Sequence, residues 1–89
     1  GGGKYKVTLG FMPDFTSTKK YGVGVGGVMP NSPAKLAGIK KDDRIISING
    51  KSTKDIYEYM ARLNELEPGQ AITVEINRNG EKLVLIVQL

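Results

Sequence analysis

The chain has 89 residues, with 13 Lys plus Arg against 9 Asp plus Glu, 39% apolar side chains, and no His, Cys or Trp. That length holds one small domain and leaves no room for a second. Without His or Cys there is no Ser-His-Asp triad, no Cys-His pair and none of the usual zinc ligands, so no catalysis, metal or cofactor is expected of this chain by itself. The net charge of +4 reads as a solvated surface rich in lysine. The close basic pairs Lys19-Lys20 and Lys40-Lys41 have no interleaved aromatic rings for base stacking, which argues against a nucleic-acid partner. No apolar run approaches the roughly 18 residues that a membrane span needs. Gly1-Gly2-Gly3 reads as a linker or expression scar, and the folded domain is taken as residues 4–89.

In chain order, Tyr5, Val7 and Leu9 alternate with Lys4, Lys6 and Thr8, the period of a half-buried strand. The chain stays extended from Gly10 to Asp14, but Pro13 lacks an N–H and cannot sit in a central ladder. Thr16 to Lys20 is a polar loop. Val23 and Val25 lie between glycines in a strand from Tyr21 to Val28. Ser32 is an N-cap, Pro33 sits at the first helical position, and Gly38 closes a short helix. Leu36 and Ala37 are its expected inward residues. Arg44 to Ile48 is a strand closed by the Asn49-Gly50 turn. Asp55 caps the longer helix, and Glu58 three residues on completes a capping box. Ile56, Tyr59, Met60 and Leu63 place an apolar stripe along it. Pro68-Gly69 breaks the chain. Ile72, Val74 and Ile76 alternate with Thr73, Glu75 and Asn77, and Asn79-Gly80 signals a hairpin. The return strand, Lys82 to Leu89, is apolar on both faces and is expected to be central. Five or six short strands and two helices predict an α+β, mainly β fold, a small partly open barrel or sandwich.

Gly22, Gly24 and Gly27 match the dinucleotide pattern G-x-G-x-x-G. That pattern needs a helix directly after it to hold a pyrophosphate, and here the glycines lie inside a strand. Close packing explains them instead. Ser47 and Ser52 have lysines nearby, as expected by chance in a lysine-rich chain. The stripe Ile56, Tyr59, Met60, Leu63 is by default core. Its combination with Leu9-Gly10-Phe11-Met12 suggests more. A glycine between large apolar residues at a strand end can aim several backbone N–H groups at one point, and such a nest binds an anion.

These residues carry a resemblance. Leu9-Gly10-Phe11-Met12 resembles the carboxylate-binding loop of PDZ domains. The segment NSPAKLAGIKKDDRIISINGKS, Asn31 to Ser52, resembles the bacterial PDZ pattern xSPAxxAGLxxGDxIxxINGxx, and the likeness extends from Tyr5 to Leu89. Two kinds of parent carry such domains: HtrA-type periplasmic serine proteases, and secreted zinc aminopeptidases with a C-terminal PDZ appendage. LGFMPDF and IYEYM look more like the aminopeptidase appendages. The resemblance implies a PDZ-like fold and a peptide-binding or regulatory module, monomeric in isolation and extracytoplasmic. Its partners would be peptide or protein C-termini, or the parent protease domain. The amides of Leu9, Gly10 and Phe11 would hold a terminal carboxylate. Leu9, Phe11, Met60 and Leu63 would line the pocket for the last side chain. Ile56 stands where many PDZ domains place His, and favours an apolar ligand residue there. A docking or spacer domain that binds no free peptide is the alternative, and a basic nucleic-acid module is a third. Two departures stand out. The family's Gly-Asp is Asp42-Asp43 here. Pro13 occupies a strand position whose N–H normally pairs with the ligand, so strand addition should be shortened.

Overall fold

The computed structural model describes residues 7–16 and 21–89. Six strands and two helices follow in the order β1 (Phe11–Asp14), β2 (Val23–Val28), α1 (Pro33–Ala37), β3 (Arg44–Ile48), β4 (Lys51–Ser52), α2 (Ile56–Asn64), β5 (Ala71–Arg78) and β6 (Glu81–Gln88). The strands form one antiparallel sheet in the order β1-β2-β3-β5-β6, with β4 paired to β3. It does not close into a barrel.

The turn chemistry sets the hairpins. Asn49 and Gly50 have φ of 53° and 79°, and Asn79 and Gly80 have 54° and 85°. Positive φ at both central residues is the twist-compatible hairpin geometry. Ser32 caps α1 by accepting from the Lys35 N–H, and Gly38 ends the helix at φ 96°. Asp42 takes φ 75° where the related pattern has Gly. Aspartate tolerates that left-handed region, and the loop keeps its shape. The next residue, Asp43, is 1% exposed. It accepts from the Arg78 Nε and Nη2 at 2.8 Å each and from the Lys40 N–H. That buried fork pins the α1–β3 loop to the end of β5.

Ile72, Val74 and Ile76 fill the core from one face of β5, with Ile45, Ile48, Ile39, Val25, Leu9 and Val87 around them. Burying one such side chain contributes roughly 1.5–3 kcal/mol. Three expectations need correction. β6 is an edge strand, with Val84 and Ile86 57% and 71% exposed. Its Leu83, Leu85 and Val87 face the core, but nothing covers the opposite face among the described residues. Leu36 on α1 is 78% exposed, and Ala34 is the buried residue there instead. In a five-residue helix the period is too short to fix the inward face. Val7 and Leu9 are buried and Thr8 is exposed, so the alternation holds, but residues 7–10 join no ladder. Lys4, Tyr5 and Lys6, and most of the Thr16 to Lys20 loop, lie outside the described residues.

Candidate functional site

β1 is an edge strand, which is where a proline is tolerated. Its register with β2 decides what it offers. Phe11 lies opposite Val28, and the Met29 N–H donates to the Gly10 carbonyl at 2.9 Å. Phe11 and Val28 are therefore a pair that exchanges no hydrogen bonds. The Phe11 N–H and C=O point away from β2, across the open edge toward α2. Pro13, two residues on, shares that orientation and has no N–H. The extra residue of the adjacent bulge lies on β2, because Met12 faces Gly27 and Pro13 faces Val25, so the β1 alternation is intact.

The loop before β1 is fixed from behind. The Ala34 N–H donates to the Leu9 carbonyl at 2.8 Å. A trans peptide points its N–H opposite to its C=O. With the Leu9 and Gly10 carbonyls held by α1 and by the end of β2, the Gly10 and Phe11 N–H groups face the other way, into the groove. Gly10 has φ 82°, and a Cβ there would lie 2.3 Å from the Ser32 Cβ. No other residue fits. The Gly10 N–H meanwhile donates to the Thr8 Oγ1 at 3.1 Å. Thr8 was not singled out from the sequence. A hydroxyl three residues before a strand carries no signal until the loop is folded around it.

α2 forms the facing wall. Asp55 caps it by accepting from the Glu58 N–H. Glu58 reaches back to the Lys54 N–H, one residue earlier than a capping box requires, and also accepts from the Ser52 hydroxyl. Those bonds hold its carboxyl below the usual glutamate range. Thr53 donates to the Ile45 carbonyl, and Arg62 Nε donates to the Ser52 carbonyl, so the helix is anchored to β3 and β4. The stripe on α2 divides. Tyr59 and Leu63 are buried in the core, whereas Ile56 and Met60 are half-buried beside the groove. The Phe11 and Tyr59 rings pack with centroids 5.3 Å apart. Burial pushes the Tyr59 phenol well above its ordinary value. Leu9 is fully buried, so its side chain lies beneath the groove. Met12 turns its backbone toward β2, and its Cε lies 2.6 Å from where a Gly27 Cβ would stand. Ser47 and Ser52 donate to the Glu75 and Glu58 carboxylates, and neither is paired with a lysine.

A cavity of ≈ 380 Å³ lies at the far end of the groove, lined by Asp14, Phe15, Gly22, Gly24, Arg44, Ile56 and Tyr57 among others. None of the residues that line it belongs to the Leu9 to Phe11 loop.

The arrangement can do one thing chemically. The Phe11 N–H follows a left-handed glycine at an unpaired strand edge, and that edge faces an apolar helix side. That suits an extended chain ending in an anion. The PDZ domain family model matches residues 8–89. The serine endoprotease DegS of Salmonella typhimurium is 41% identical over 66 residues, which span 74% of this chain and 18% of DegS. Among solved structures, the HtrA3 PDZ domain bound to a phage-derived ligand, FGRWV, has a TM-score of 0.76 at 24% identity, covering 96% of this chain and 86% of that one. An aminopeptidase N family protein from Idiomarina loihiensis has a TM-score of 0.86 at 22% identity, covering 99% of this chain and 14% of that one. Both structures share the fold. A PDZ domain is non-catalytic by itself, and the relatives that carry this one are proteases. The chain belongs to the PDZ domain family.

Proposed function

We propose that this domain captures the C-terminal carboxylate of peptides or proteins whose last residue is apolar, as a regulatory module of a secreted bacterial protease. What supports the reading is the loop before β1: its Leu9 and Gly10 carbonyls accept from the Ala34 and Met29 N–H groups, and the Phe11 N–H is turned away from β2 at the open edge, beside the Gly10 N–H that donates to Thr8 Oγ1. Charge-assisted bonds from backbone N–H groups to a carboxylate are about twice as strong as neutral ones. Phe11, Ile56 and Met60 line the apolar side beside them, above buried Leu9 and Leu63. The ligand FGRWV of the HtrA3 domain, which ends in Val, supports an apolar last residue. The periplasmic serine endoprotease DegQ of Escherichia coli, 37% identical over 68 residues, supports an extracytoplasmic location.

The test is titration with a library of C-terminal peptides, followed by amide shifts. Peptides with a free carboxylate and an apolar end are expected to bind in the high micromolar range or weaker, with shifts at residues 9–11 and along α2. Amidation removes the charge and should abolish binding. Met60→Lys should impair it by placing a charge beside the last side chain. If those residues stay silent for every free-carboxylate peptide, the groove is no peptide site.

A further inference from the structure

The two edges of the sheet are guarded very differently. β1, at one edge, is four residues long, carries Pro13 and sits beside a bulge in β2. β6, at the other, is eight residues long, has no proline or glycine, and pairs with β5 in one unbroken register from Glu81 to Gln88. Its central run, Leu83 to Val87, is uncharged. Short length, proline, bulges and mid-strand charge are the devices that keep a strand edge from adding another chain. β6 has none of them. α1 packs against β6 but shares no backbone hydrogen bond with it among the described residues. We propose that β6 is a self-association edge, through which two copies of this chain pair antiparallel about a two-fold axis at Leu85. Such a dimer departs from the monomer that the family resemblance implies, and it does not depend on what the groove binds.

The register fixes the geometry. Asn79 and Gly80 both have positive φ, so the pair that closes the hairpin, Arg78 and Glu81, is hydrogen-bonded. The alternation holds to the far end, where the Leu89 N–H donates to the Gln70 carbonyl at 2.9 Å. Glu81, Leu83, Leu85 and Val87 therefore turn their N–H and C=O groups toward β5. Those of Lys82, Val84, Ile86 and Gln88 point out of the open edge. With the axis at Leu85, Lys82 lies opposite Gln88 of the second copy and Val84 lies opposite its Ile86. Each such pair exchanges two backbone bonds. The side chains suit the same register. On the outer face Val84 and Ile86, 57% and 71% exposed, cover each other, and Lys82 meets an amide rather than a second cation. On the inner face half-buried Leu83 meets Val87, and half-buried Leu85 meets its own copy. Shifting the register by two residues either way leaves Lys82 or Gln88 with no partner inside the strand. One edge per copy, paired about a two-fold axis, closes on itself. Pro13 and the bulge at β1 keep the other edge from extending a filament.

A single strand pair is smaller than a standard interface, so the dimer is expected to be weak, with a Kd of roughly 0.1 mM. The test is sedimentation equilibrium from about 10 µM to about 1 mM, which brackets that value. The mean mass should rise from 9.6 kDa towards twice that. Added salt should strengthen the dimer by screening the +4 charge on each copy. Over the same range the Val84 and Ile86 amides should exchange with solvent several-fold more slowly as the dimer forms, while those of Leu83 and Leu85 do not change. Val84→Lys and Ile86→Lys should each weaken the dimer about tenfold or more by placing a charge in the apolar pair. The exposure of both side chains protects the fold. A domain that stays monomeric at about 1 mM overturns the proposal. So does slow exchange of Val84 and Ile86 in a monomer at every concentration, which would mean that another segment of the chain, such as residues 1–6, covers the edge. A dimer that survives both lysine variants, or that forms without the alternating protection, also overturns it, because the copies then meet through another surface.

Discussion

Replacing Pro13 tests the ladder argument directly. Pro13→Ala restores an N–H at a position that the register turns toward the groove, two residues after Phe11. β1 lies at the sheet edge, so the new donor is solvated in the free domain and no internal bond depends on it. A ligand long enough to reach it gains one neutral hydrogen bond, worth about 0.5–1.5 kcal/mol net. At about 1.4 kcal/mol per factor of ten, that is a roughly 2- to 12-fold gain in affinity. The variant should also lose some stability, about 0.4–1 kcal/mol, because the unfolded chain regains freedom. The assay is titration with two peptides that differ only by an ester in place of the amide whose carbonyl would meet residue 13. An ester carbonyl is the weaker acceptor, so the gain should be concentrated in the amide peptide. If Pro13→Ala binds both peptides no tighter than the parent domain, while the Phe11 and Met60 shifts remain, ligands do not add to β1 as a strand. The alternation argument would then be wrong.

Gly38→Val is expected to destabilise the fold by about 1–3 kcal/mol, read as a shift of the denaturation midpoint. The cause is φ 96° alone, since a Cβ there would meet nothing within 4 Å. Asp43→Ala removes the acceptor of a buried fork and should cost about 3–5 kcal/mol, towards the lower end because Arg78 keeps 28% side-chain exposure. An effect below about 1 kcal/mol would mean that the pair does not hold the loop. Glu58 is held below its ordinary value of 4.5 by bonds from the Lys54 N–H and the Ser52 hydroxyl. Its folded form therefore binds a proton less readily than the unfolded chain. The contribution is complete above about pH 4.5 and is lost as pH falls through the lower folded value. Glu58→Gln should flatten that acid limb of the stability curve, and an unchanged limb would place the effect elsewhere.

The sequence determined the elements whose causes are local. Both Asn-Gly turns, the Ser32 and Asp55 caps and the Gly38 stop are decided by one or two residues each. The alternation of Ile72, Val74 and Ile76 likewise names the buried face of β5, because a strand's period needs no partner to be read. A glycine between Leu9 and Phe11 likewise implies a left-handed turn, and Gly10 takes φ 82°. What the sequence left undecided depends on what lies opposite. The apolar run Val84 to Val87 is the same whether one face or both are covered, and the sheet order covers only one. The stripe on α2 does not say that Tyr59 and Leu63 enter the core while Ile56 and Met60 stop at the groove, since that follows from where β1 and β3 pass the helix. The hydroxyl of Thr8, the fork from Arg78 to Asp43 and the cavity under Tyr57 join residues distant along the chain or folded back on themselves. No spacing encodes such meetings; packing alone brings the groups together.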